Sequence, residues 1–315
     1  MSNMISRTFH AQYIGKLLLV ALAYFASGRL GLAIPYIGSH VTLFWLPTGI
    51  AVAALFRLGG AVWPGVYLGS LLVNLSIGSS WPLAAGIAVG NTLAPALTAW
   101  LLRRRKFQPA FVRRQDIVLL CSAAALGMLV SAASGTTMLW LAGLVTAESF
   151  FAAASAWWAG DFVGVLLGGT LLLSATRDKL MQIRQRDTEF MVWIALACLT
   201  GWAVFYDNAA SEVKPLTFLT FPLVIWASAR LGVTGASIPV LLISLIAAWA
   251  TSVGRGQFYP HGLFLLWAYM GILALSMLMI VALLAERKRA EDRSTLLLQS
   301  VSQGVWGLDA QGKEL

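Results

Sequence analysis

Apolar runs of membrane-spanning length recur along the chain, separated by short polar connections. A helix needs about 20 apolar residues to cross the hydrocarbon core. The runs at approximately 14–34, 41–57, 61–77, 83–102, 117–140, 149–173, 189–206, 216–229, 232–253 and 261–284 predict such helices, about ten in all. Runs 41–57 and 61–77 are short and meet at Arg57-Leu58-Gly59-Gly60, which reads as a tight turn. Run 216–229 is the shortest and contains Pro222. Run 117–140 holds the small, hydroxyl-rich stretch Ser131 to Thr137, which could break or bend its helix. Pro47 through Arg57-Leu58-Gly59, followed by an apolar run, is echoed by Pro222 through Arg230-Leu231-Gly232. A parallel repeat and convergent use of the same turn residues both account for that echo.

The loops orient these runs. Alternate connections carry Arg103, Arg104, Arg105, Lys106, Arg113 and Arg114, then Arg177, Lys179, Arg184 and Arg186, then Arg230, then Arg287, Lys288, Arg289 and Arg293. Arg7, Lys16 and Arg57 fall on the same side, whereas the opposite loops hold only Lys214 and Arg255. By the positive-inside rule both termini are cytoplasmic, which requires an even number of spans. Tryptophans agree with interfacial belts: Trp81, Trp202 and Trp249 near the outer ends, Trp63, Trp100, Trp193 and Trp226 near the inner ends.

Composition confirms the class. Of 315 residues, 59% are hydrophobic and only 11% charged, and the mean hydropathy is +0.78. That excludes a soluble globular domain and predicts an all-α polytopic membrane protein in contact with the lipid bilayer. The net charge of +9 is explained by topology, so nucleic acid is not an expected partner. Cys121 and Cys198 lie in apolar runs and read as small buried hydrophobes, with neither a disulfide framework nor a metal site. The first apolar run has full spanning length and no small-residue cleavage pattern, so no cleavable signal peptide is expected.

Chemistry concentrates in Trp157-Trp158-Ala159-Gly160-Asp161-Phe162-Val163-Gly164. Asp161 is the only formal charge between Phe150 and Leu173. A carboxylate at that depth costs a few kcal/mol unless paired or facing a polar cavity. Gly160 and Gly164, at i and i+4, let another helix backbone approach. With a rise of about 1.5 Å per residue, Arg29, Thr48, Asn74, Asn91 and Asp161 all fall in the outer half of their runs. Either Asp161 is a neutral acid within a packing motif, or these groups form a polar site between helices. In the second case Arg29 is the intramembrane cation available to it, directly or through Asn91 or water. His40 and His261 fall in outer loops without companion ligands, and Glu148, Asp207 and Glu212 read as solvated, so no cofactor or metal is expected. No nucleophile–base constellation, phosphate loop or zinc spacing points to an enzyme.

After Ala285 the composition changes. Glu286 to Arg293 is a mixed-charge helical segment continuing from the last run, with Leu283, Ala290 and Leu297 at heptad spacing. Leu296 to Lys313 reads as a helix, a strand at Gly304 to Leu308 and a turn at Asp309 to Gly312. A strand cannot be stable as the last residues of a chain, so a further soluble domain is expected beyond it.

That ending resembles the opening of a PAS domain. The membrane part resembles the membrane-associated sensor domain of the first type, the MASE family. The resemblance rests on Phe44-Trp45-Leu46-Pro47-Thr48-Gly49-Ile50-Ala51, Trp63-Pro64-Gly65 with Leu68-Gly69, Gly90-Asn91-Thr92-Leu93, and the Trp157 to Gly164 stretch. It implies a sensor domain at 1–285, a signalling helix or linker at 286–296 and the start of a PAS domain at 297–315. It also implies a bacterial inner-membrane protein that passes a signal to a histidine kinase or to a cyclic-di-GMP synthase or phosphodiesterase, working as a homodimer. The ligand-binding or polar-core candidates are Arg29, Trp45, Thr48, Asn74, Asn91, Trp157, Trp158 and Asp161, and the signal is a small ligand or a membrane-protein partner. A small-molecule transporter and a plain anchor and dimerisation module are the competing readings.

Overall fold

The computed structural model describes residues 2–33, 42, 44–206, 214–259 and 262–304. Every regular element among them is helical. In order these are α1 (Ser2–Ala33), α2 (Leu46–Leu58), α3 (Trp63–Ser76), α4 (Trp81–Arg104), α5 (Arg114–Leu141), α6 (Phe150–Ser174), α7 (Arg177–Arg184), α8 (Asp187–Phe205), α9 (Thr220–Ser252, led in by a 3-10 turn, Lys214–Leu219) and α10 (Leu263–Gly304). Among the described residues seven helices are long and apolar enough to cross a membrane, and the protein is a multi-pass membrane protein. His40, His261, Asp207, Glu212 and the residues of the expected PAS start beyond Gly304 lie outside the described residues.

Proline sets the starts and glycine the reversals. Pro47, Pro64 and Pro82 occupy the first turns of α2, α3 and α4, where a missing N–H leaves no bond unmade. Gly59, at φ 107°, ends α2 before the tight turn into α3. At φ 63° and ψ −171°, Gly232 leaves helical geometry inside α9, in a region nearly closed to other residues. The contacts on its two sides show that the chain doubles back there. The side chain of Gln257 donates to Thr217, and Tyr269 donates to Thr220 at 2.9 Å, so residues 217–220 lie beside the turn that follows α9. Arg230, by contrast, pairs with Glu189 at the start of α8 (2.8 Å), and Thr234 donates to the Ser174 carbonyl at the end of α6 (3.1 Å). A straight 36-residue helix over Thr217–Ser252 would be about 54 Å long and could not bring Thr217 to Gln257.

One end of the bundle is basic. There Arg57 donates to the Leu172 carbonyl (2.7 Å) and to that of Ala175, Arg103 donates to the carbonyls of Leu55 and Phe56, and Arg114 pairs with Glu286 (2.9 Å). Asp116, fully buried, is held by Arg113 (2.7 Å) and by the Gln108 amide (3.0 Å), which closes the loop between α4 and α5. Three apolar clusters fill the interior among the described residues, the smallest of them Leu83, Ile87 and Leu139 from α4 and α5. A large one joins Met128, Leu166, Val240, Ile243 and Leu273 from α5, α6, α9 and α10, and a smaller one joins Tyr24, Leu55, Val66 and Val73 from α1, α2 and α3. Leu18, Leu19, Leu22, Leu93, Leu199 and Phe264 are exposed, as a lipid-facing surface requires. Most of the tryptophans expected at the interfaces are exposed as well, but Trp193 is not. It is 2% exposed and packs edge-on against Trp226, 4.4 Å between ring centroids.

Candidate functional site

The site begins as a backbone contact. A Cβ on Gly164 would lie 2.0 Å from the Trp45 carbonyl oxygen, and one on Gly49 would lie 2.3 Å from the Gly164 oxygen. Two glycines facing each other therefore let the start of α2 rest directly on the backbone of α6, as the Gly160/Gly164 spacing anticipates. The Trp45 amide donates to the Gly160 carbonyl at 3.1 Å, and below this contact α6 widens into a π-helical segment, Val165–Gly169. α2 has 13 residues, about 20 Å, so its first turn starts inside the bundle. Phe44 and Trp45, non-helical just before it, are tolerated there because protein packs around them: Phe44 is buried and the Trp45 amide is bonded to Gly160.

Asp161 meets this first turn. It is 1% exposed, and its Oδ1 accepts a hydrogen bond from the Thr48 hydroxyl at 2.6 Å. Its other oxygen, Oδ2, is buried with no hydrogen-bond partner. Asp161, Asn74, Asn91, Trp45, Trp157 and Thr42 border a cavity of about 40 Å³. A single water needs roughly 10–15 Å³ of such space, so the cavity has room for about three or four waters or one small ion.

A hydrogen-bond chain backs the cavity. The Trp157 indole donates to Ser131 (3.1 Å), Ser131 donates to the Asn91 oxygen (2.9 Å), and the Asn91 amide donates to Ser70 (3.0 Å). This uses both ends of the Asn91 amide and fixes its orientation. Asn74 donates to the Ser70 carbonyl (2.9 Å), and the Trp45 indole reaches the buried Tyr24 hydroxyl (3.4 Å). The side chains come from α1, α3, α4, α5 and α6, with Trp45 from just before α2.

The structure thus gathers Trp45, Thr48, Asn74, Asn91, Trp157 and Asp161. It corrects two expectations. Arg29 does not face Asp161: it is exposed and donates to the Ser76 hydroxyl (3.1 Å) and carbonyl, closing the end of α3. A guanidinium this close to a helix end finds orphan carbonyls and solvent within reach, and both are cheaper for it than the interior. Trp158 points away from the cavity, donating to the Ala125 carbonyl (2.9 Å) and stacking on Phe162 (5.2 Å). Adjacent helical residues diverge by about 100°, so Trp157 and Trp158 cannot share a face. Tyr24, Ser70 and Thr42 were missed. Ser131 belongs to the hydroxyl-rich stretch that the sequence singles out, whereas Tyr24 and Ser70 carry no signal apart from polarity within apolar runs.

Among the described residues no group of three or more His, Cys, Asp or Glu side chains could hold a metal ion. Asp161 and the amides and indoles around it can accept and donate hydrogen bonds, and they present no nucleophile with an adjacent base. Neither a curated protein nor a solved structure matches the chain. The MASE1 family model matches residues 16–288, which take in every residue that borders the cavity, and the chain therefore belongs to the MASE1 family of membrane sensor domains.

Proposed function

We propose that this domain is the input module of a bacterial inner-membrane signalling protein, and that the cavity at Asp161 is where its signal enters. One observation carries this reading. A buried carboxylate oxygen without a partner, on a residue that borders a small cavity shared with Asn74, Asn91 and Thr42, has a large desolvation penalty that a bound ligand or ion would offset. The ligand is small, and it presents a hydrogen-bond donor or a positive charge to Oδ2.

The proposed membrane arrangement has ten traverses with both termini in the cytoplasm. The doubling back at Gly232 supports counting two traverses in α9, and α2 with α3 adds a short pair. The cavity then lies toward the outer face. Output would pass along α10, whose 42 residues extend about 63 Å and run from the membrane into the mixed-charge segment without a break. Leu283, Leu284, Leu296 and Leu298 are exposed along it, which supports a homodimer with paired α10 helices. The segment after it would be a PAS domain leading to a histidine kinase or a cyclic-di-GMP enzyme.

The test uses the full-length protein in vesicles, with its output activity as the readout. Asp161→Asn keeps the shape and removes the charge, and Thr48→Val removes the donor. Each is expected to change basal output by about threefold or more, since about 0.6 kcal/mol of shifted equilibrium corresponds to that factor. Output identical to wild type in both variants would refute the reading, and solute flux through the vesicles abolished by either would replace it with transport.

A further inference from the structure

A second recess lies at the basic end, far along the bundle from Asp161. Its cavity volume is about 490 Å³, and Lys179, Gln182, Arg186, Arg230, Gly232 and Lys288 border it. Pockets of roughly 300–1,000 Å³ are the usual size for small ligands. Four cations converge here from three separate places: α7 and the turn after it, the corner where α9 reverses, and the stem of α10. None of the bordering residues is acidic. Glu189, alongside, is engaged by Arg230 at 2.8 Å and by Arg186 at 4.0 Å, so it offsets part of the charge and leaves the recess positive. Cations on one fold repel one another unless an anion sits among them, and low-dielectric walls on one side focus the field into the cleft.

The surroundings narrow the class of anion. α7 carries Arg177, Lys179 and Arg184 together with exposed Leu180 and Met181, the make-up of a helix lying in a membrane interface. Interfaces of this kind meet phosphate groups, and Arg and Lys are the side chains that hold phosphate oxygens. We infer that this recess binds a phosphate group, carried by an anionic phospholipid headgroup or by a soluble phosphate compound, clamped between α7, the Gly232 corner and Lys288 of α10. Because Lys288 stands on α10, an occupied site ties that helix to the corner. The inference does not depend on the role proposed for Asp161.

The test uses the whole chain in nanodiscs of phosphatidylcholine, with or without phosphatidylglycerol. Retained phosphatidylglycerol is read by native mass spectrometry, and labelled pyrophosphate by equilibrium dialysis. Wild type is expected to hold at least one probe. K179Q/K288Q, whose side chains are exposed, should lose affinity by about tenfold or more, the scale of one charge-assisted hydrogen bond. K179R/K288R should retain it, which separates lost charge from lost fold. R104Q/R105Q removes equal charge at another site and should stay within about twofold of wild type. Retention of phosphatidylglycerol alone assigns the lipid source, and pyrophosphate binding in pure phosphatidylcholine assigns the soluble one. Equal losses in K179Q/K288Q and R104Q/R105Q, or no binding of either probe by wild type, would overturn the inference.

Discussion

Gly164→Ala is the sharpest test of how the site is built. The new Cβ would stand 2.0 Å from the Trp45 carbonyl oxygen, a backbone atom with no rotamer to escape into. Ordinary carbon–oxygen contacts lie near 3.3–3.6 Å, so the start of α2 must retreat from α6 by about 1.3 Å. Thr48 would move with it. Its bond to Asp161, 2.6 Å in the wild type, would stretch toward 4 Å, beyond hydrogen-bond range. Overpacking of this kind costs about 1–3 kcal/mol. A lost interhelical hydrogen bond in a membrane adds about 0.6–1.7 kcal/mol. The expected loss is therefore about 2–5 kcal/mol, read from reversible unfolding in mixed detergent micelles. The control is Gly271→Ala in α10, where nothing lies within 4 Å of the new methyl. Alanine there should be neutral or stabilise by up to about 1 kcal/mol, its helix-propensity advantage. If Gly164→Ala unfolds at the same detergent fraction as Gly271→Ala, the backbone contact between α2 and α6 is not as described, and the Thr48–Asp161 geometry falls with it.

Other outcomes follow from the same contacts. Arg29→Gln and Asp161→Asn should be additive within about 0.5 kcal/mol, because Arg29 is occupied at Ser76; a larger coupling in a double-mutant cycle would restore a pairing between them. Gly232→Ala should destabilise by about 1–3 kcal/mol, whereas Gly60→Ala, with open space around it and no positive φ, should be close to neutral by the same measurement. Past the apolar part of α10, the Arg114 guanidinium holds the Glu286 carboxyl below the usual carboxylate range. A depressed folded pKa stabilises above the unfolded value and fades as pH falls through the folded one. Glu286→Gln and wild type should therefore differ at neutral pH and converge in acid, and a difference that grows on acidification would contradict the ion pair.

Much of this was legible because the membrane simplifies the code. Apolar runs mark helices, and Arg-Leu-Gly at 57–59 and 230–232 marks reversals, each with its glycine at positive φ. Asp161 between two glycines announces both a buried charge and a close helix contact. What the sequence does not carry is rotation about each helix axis. Depth along a run is a linear quantity, so Thr48, Asn74, Asn91 and Asp161 could be placed at one level. Their facing could not be read, and Arg29, at similar depth, turned outward. Tyr24 was hidden for the opposite reason: in an apolar run a tyrosine counts as hydrophobic, and only packing reveals that its hydroxyl meets Trp45.

The two reversals also bear on how a signal could travel. α2 is tied to α6 at three levels: Thr48 on Asp161 near its start, Gly49 against Gly164 and Gly169, and Arg57 on the carbonyls of Leu172 and Ala175 near its end. Sliding α2 along α6 would break the upper and lower bonds together. Pivoting about the glycine contact would break only one. On the proposed function, a ligand that takes over Asp161 competes with the Thr48 hydroxyl, so it releases the upper tie and leaves the lower one intact. The lower tie adjoins the place where Thr234, just after the Gly232 reversal, is bonded to Ser174. α9 packs extensively on α10. Between the two ties α6 carries its π-helical segment, Val165–Gly169, a local irregularity of the kind frequent at functional sites. On the proposed function, α2 freed at Asp161 would still hold α6 through Arg57, so its movement would pass through α6 and α9 to α10 with the hydrogen bonds at the basic end and the apolar core kept in place.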